Sequence, residues 1–95
     1  MWEDTTTYSN QKNERQRVWG YRGIGFTISV IRGHRYYPNR WIVNCHALGI
    51  KEHVIGKEED MTPEQAQSKA VELCRDVCFS IMEGIKKISD EISSK

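Results

Sequence analysis

TPEQAQSKAVELCRDVCFSIMEGIKKISDEI, residues Thr62–Ile92, is the stretch that decides the fold. Its start is marked three times. Thr62 can serve as an N-cap, Pro63 suits the first helical position, and Gln65 completes a Thr-x-x-Gln capping box. Glu64 places a negative charge at the positive end of the helix dipole. With about 100° of turn per residue, Ala66, Ala70, Leu73, Cys74, Val77, Cys78, Ile81, Ile85, Ile88 and Ile92 fall in one stripe of roughly 140°. A stripe that wide predicts a helix that closes a sheet or core along its whole length, rather than a narrow two-helix seam. Gly84 falls on the stripe. Its missing side chain leaves room for a large ring from the sheet, with Trp41 the candidate.

Upstream of this helix the apolar period changes from helical to alternating. Lys57-Glu58-Glu59-Asp60 reads as a solvated connection, and Ile50–Ile55 as a short strand ended by Gly56. Trp41–Leu48 reads as a longer strand, with Trp41, Val43, Cys45 and Ala47 on one face and Ile42, Asn44, His46 and Leu48 on the other. Gly33 to Arg40 is punctuated by Gly, Pro and Asn and reads as a hairpin loop. Before it, Phe26, Ile28 and Val30 alternate with Thr27 and Ser29, the pattern of a half-buried strand. Glycines at 20, 23 and 25 make the entry to that strand irregular. Residues 1–16 are polar and aperiodic and read as a flexible arm that Trp2 can anchor. The expected fold is therefore α+β, in β-β-β-α order. A three-stranded antiparallel sheet carries one long C-terminal helix on one face, and residues 17–95 form a single domain.

Bulk composition narrows the function classes. Ninety-five residues make one domain with little room for a deep, water-excluding active site. The chain is 38% hydrophobic and 28% charged, which fits a globular domain, and has no apolar run long enough to cross a bilayer. The polar N-terminus is unlike a secretory signal, so the expected compartment is the cytoplasm, with no membrane partner. A net charge of +1 conceals an asymmetry. Up to Lys57 there are nine Lys/Arg against four Asp/Glu, a net +5; from Glu58 on there are five against nine, a net −4. An anionic partner would meet the first half, although the same split also pairs a basic sheet with an acidic helix.

Few residues offer chemistry. Cys45, Cys74 and Cys78 follow no zinc or disulfide spacing, and all three fall on faces expected to be buried, so core packing outweighs a metal site. His46 and His53 are candidate cross-strand neighbours on the open sheet face, a surface pair rather than a catalytic dyad. Gly20, Gly23 and Gly25 do not match a dinucleotide fingerprint. No enzyme activity, cofactor or metal is expected. The basic aromatic hairpin is the leading candidate for partner or nucleic-acid binding: Arg32, His34, Arg35, Tyr36, Tyr37, Arg40 and Trp41, with Arg22 nearby. Its cations can meet phosphates and its rings can stack on bases, while Tyr, Trp and Arg are equally the residues of protein hot spots. On the helix, Phe79 lies opposite the apolar stripe with Arg75 and Met82 beside it, a candidate interface for a homodimer or another protein.

Gly49-Ile50 before a short strand, and Thr62-Pro63-Glu64-Gln65-Ala66 opening a helix with Ala70 one turn on, resemble HicB-type antitoxins over about half the chain. His46-Ala47-Leu48-Gly49 stands where those proteins have a Pro-Asp-Leu-Pro-Gly-like turn, and no strand follows the helix. Three strands followed by a helix are also similar to the later part of double-stranded-RNA-binding domains. Their basic helix start is replaced here by Glu58, Glu59, Asp60 and Glu64. No residue is carried over from either family. The expected function is a small non-enzymatic binding or regulatory protein of a bacterial or phage accessory type. It would act by protein–protein contact through the basic hairpin and the outer helix face, with nucleic-acid binding through the same hairpin as the alternative.

Overall fold

The computed structural model describes residues 1–7 and 16–94. It is α+β, with one long C-terminal helix packed on an antiparallel sheet. The sheet has five strands rather than the three expected: β1 (Glu3–Asp4), β2 (Arg17–Gly23), β3 (Phe26–Arg32), β4 (Arg40–Cys45) and β5 (Ile50–Lys57), side by side in chain order. The helix α1 runs from Pro63 to Ser93.

The two additional strands come from residues whose local pattern conceals them. The glycine-rich entry to the first expected strand is itself a strand, β2, paired in full register from Arg17↔Arg32 to Gly23↔Phe26. Ile24 and Gly25 make the two-residue turn between β2 and β3, and Gly25 takes a φ of 79° that only glycine adopts without strain. β1 is only two polar residues, opposite Trp19 and Gly20. Hydrogen bonds hold it where apolar pattern cannot. Thr5 N donates to Val18 O at 2.8 Å and Val18 N donates to Thr6 Oγ1 at 2.9 Å. Thr6 is buried and in turn donates to the Asp4 carboxylate through both its amide and its hydroxyl. Those two bonds favour the ionised form and lower the Asp4 pKa. Part of the expected flexible arm is thus sheet; the remainder, residues 8–15, lies outside the described residues.

Downstream, β4 stops at Cys45 rather than Leu48. His46–Leu48 form a 3-10 turn that Gly49 closes at φ 70°. β5 runs on through Gly56 to Lys57, beyond the expected end at Ile55. Irregular register between β4 and β5 places His53 opposite Val43, so His46 and His53 are not cross-strand neighbours.

Register decides what each face buries. Tyr21↔Ile28, Trp19↔Val30 and Val30↔Val43 share the helix-facing side with Trp41 and Cys45. Trp2 and Trp19 pack against this core, and the Trp19 and Trp41 rings lie 5.9 Å apart. Trp41 Nε1 finds its acceptor in Glu58 O at 3.3 Å. The expected approach of Trp41 to Gly84 does not occur: nothing lies within 4 Å of where a Gly84 side chain would begin. On the opposite face, Val18, Ile31, Ile42 and Val54 form a row, with Ile31 and Ile42 buried.

The capping box forms as expected, with Gln65 N donating to Thr62 Oγ1 and Thr62 N donating to Gln65 Oε1. The reach of the helix over the core is much shorter than expected. Ala66, Ala70 and Cys74 are buried, and Leu73 and Val77 are partly buried against the sheet. From Cys78 to Ser94 every residue is exposed. A helix of 31 residues is about 46 Å long, while a strand of seven or eight residues spans about 25 Å. The molecule accordingly measures 59 Å along its long axis and 25 × 23 Å across.

Two alanines with no exposed surface, Ala66 and Ala70, let the first turns of α1 sit close to the sheet. Ala70→Leu should overpack this contact and lower unfolding free energy by about 1–3 kcal/mol in a urea titration. An unchanged midpoint would mean that the helix does not bear on the sheet there.

Candidate functional site

Two surfaces are open for function, and the sheet positions both. The first is the loop between β3 and β4. His34 Nε2 lies 3.6 Å from Glu52 Oε1, near the start of β5, and the His34 side chain is only 12% exposed. Such a reach folds the loop back over the second sheet face. Tyr36 N donates to His34 Nδ1, and the His34 ring lies 5.9 Å from that of Tyr36 and 5.5 Å from that of Tyr37. Arg35 stacks over Tyr36 at 5.7 Å, a cation–π contact at the exposed tip.

The remaining residues expected to act with this loop are dispersed. Trp41 is 1% exposed and belongs to the core, so its ring cannot stack on a ligand. Arg32 lies over the Trp19 ring at 5.5 Å, with its Nε 3.8 Å from Glu58 Oε1. Arg40 shares a cleft with Asn39, Lys57, Glu58 and Glu59, so acidic groups sit beside its charge. Arg22 pairs with Thr27, five residues and so about 17 Å along β3 from the loop end. His34, Arg35, Tyr36 and Tyr37 therefore form one cluster, while Arg32 and Arg40 meet the acidic Glu58 at the end of β5 and Trp41 is in the core.

The second surface is the projecting half of α1. Phe79 is exposed on the outer side, as its helical position requires, with Arg75 and Met82 exposed between it and the stripe. The expected inner side is open as well. Ile81 is 44% exposed, Ile85 62%, Ile88 58% and Ile92 68%. These were expected to close the core; the sheet ends before it reaches them. Next to this stripe lies an apolar groove of about 390 Å³ lined by Phe26, Ile28, Leu48, Val71, Cys74 and Cys78. Groove and stripe form one continuous apolar surface along the helix.

The cysteines separate accordingly. Cys45 and Cys74 adjoin in the core, while Cys78 is exposed and not packed as expected. Burial, followed by the proximity of Cys45, pushes the Cys74 thiol up to about 11, so it stays protonated and poorly nucleophilic. Among the described residues no group of three His, Cys, Asp or Glu side chains is placed to hold a metal ion. No helix among them is long and apolar enough to cross a membrane. Comparison with protein-family models, with curated proteins and with solved structures finds no match.

The burial of Cys45 and Cys74 has a chemical consequence. At about pH 8.5, iodoacetamide should leave both unmodified in the native protein and label both after denaturation, as peptide mass mapping reads out. Labelling of Cys74 at the rate of a free thiol would contradict its place in the core.

Proposed function

We propose that the protein is a small non-enzymatic binding protein that works by protein–protein contact, chiefly through the projecting half of α1. One observation carries this reading: four isoleucines on one side of a helix, each 44–68% exposed, beyond the end of the sheet. Together with Met82 and Cys78 they expose on the order of 500 Å² of apolar surface, at the upper end of what a typical monomer leaves uncovered. A helical segment of about 17 residues without tertiary support is also marginal in water, so a packed partner would stabilise both its fold and its apolar face. The His34–Arg35–Tyr36–Tyr37 cluster is a second, smaller contact surface on the same molecule. Nucleic acid is the less favoured partner. Arg32 is engaged with Trp19 and Glu58, Arg40 stands beside Glu58 and Glu59, and Arg22 is remote, which leaves too few converging cations for a phosphate track.

Affinity capture with three forms of the chain tests this assignment. Wild type should retain its bound protein after nuclease treatment, and so should Arg35→Ala/Tyr36→Ala, with some loss. Ile85→Glu/Ile88→Glu should lose it at least tenfold. Capture that disappears with nuclease, or that survives in the isoleucine variant, would contradict the assignment.

A further inference from the structure

The spacing of the exposed residues identifies what covers them. In the half of α1 that lies on the sheet, the buried and half-buried positions Ala66, Ala70, Leu73, Cys74 and Val77 spread over a wide face. Beyond Val77 the stripe narrows. Cys78, Ile81, Ile85, Ile88 and Ile92 follow steps of three, four, three and four residues, and Val71 and Cys74 continue the same series backward. That is the a and d pattern of a coiled-coil seam, with a period of about 3.5 residues. The positions flanking the seam are Met82, Gly84, Ser89 and Glu91, and only one of these is charged. Glu83, Lys86, Lys87 and Asp90 lie on the outside of the helix. Two identical seams can therefore meet without like charges facing each other.

We propose that a second copy of this chain covers the stripe, in a two-fold pair whose helices run antiparallel; this rests on the reading of the stripe as a protein-binding face. The direction follows from the sheet. The stripe and the sheet lie on nearly the same side of α1. A partner helix running parallel and in register would have to pass through the space that the sheet fills before Cys78. An antiparallel partner places its own sheet beyond Ser93 of the first helix, clear of the first copy's sheet, which covers only the Ala66–Val77 half of α1. Ile85 of each copy then sits beside Ile88 of the other, and Ile81 beside Ile92. The C-terminal end of each helix reaches the groove at Phe26, Leu48 and Cys78 of the other copy. Gly84, where among the described residues nothing outside the helix lies within 4 Å of the side-chain position, becomes a flanking position where two helices can approach closely. That accounts for a glycine at a site where it costs about 1 kcal/mol relative to alanine. Two such stripes bury on the order of 1,000 Å² in total, the lower bound for a specific biological interface, and the groove contacts add to it.

Light scattering during gel filtration at a chain concentration on the order of 100 µM reads the assembly directly. Wild type should have twice the chain mass. Ile85→Glu should have the mass of one chain, with the β-sheet signal in circular dichroism retained. Phe79→Glu, on the opposite helix face, should remain paired. Oxidation should not link Cys78 to Cys78 of the other copy, because the antiparallel pair holds them on the order of 25 Å apart. A wild type of one or three chain masses would overturn the proposal, as would rapid Cys78–Cys78 linkage or dissociation by Phe79→Glu in place of Ile85→Glu. A single-chain wild type whose capture of another protein still depends on Ile85 and Ile88 would overturn self-pairing alone. Loss of both behaviours would also end the reading of the stripe as a binding face.

Discussion

The mismatch in length between α1 and the sheet governs the rest of the molecule. A sheet of seven- and eight-residue strands can cover about half of a 31-residue helix. The covered half behaves as core, with small residues at the closest contacts and Cys74 and Val77 at the limit of the sheet. The uncovered half keeps the apolar content of a core helix without a core to enter. Exposed isoleucine at that density carries a hydrophobic cost that association can remove.

The sheet itself is used on both faces. Trp19, Ile28, Val30, Trp41, Val43 and Cys45 meet the helix, while Ile31 and Ile42 are buried on the other side. His34, bridging to Glu52, binds the β3–β4 loop back toward that second face and clusters its tyrosines at the surface. The loop is therefore partly structural, and Arg35 and Tyr36 remain as its outward-facing groups. At the far edge, β1 is held by the backbone and by the Asp4–Thr6–Val18 hydrogen bonds, with Trp2 resting against Tyr21 at 5.6 Å.

How legible these features are in the sequence depends on whether side chains or the backbone specify them. The helix start was legible because Thr62, Pro63 and Gln65 act locally. β3, β4 and β5 were legible because their apolar residues alternate, although the irregular pairing of β4 with β5 shifted their ends. β2 was obscured by Gly20 and Gly23, even though Trp19 and Tyr21 alternate around Gly20. β1 carries no side-chain pattern, and its pairing is set by partners more than a dozen residues away. The single wide stripe on α1 combines two successive patterns. After Val77, the positions that widened the stripe become Ser80, Gly84, Lys87 and Glu91, and only the narrow seam continues. That narrowing marks where the sheet ends. The dispersal of the basic patch had no comparable signal, because the partners of Arg32 and Arg40 come together only in the folded chain.

If the projecting half of α1 is an interface rather than a solvated extension, its backbone is shielded only while it is covered. Amide hydrogen exchange across residues 78–94, followed over a range of protein concentrations, tests it most directly. An interface predicts protection approaching that of the helix over the sheet at high concentration, declining steadily on dilution while β3 and β4 stay protected. Rapid exchange of residues 78–94 at every concentration would contradict it and leave the helix as a free extension.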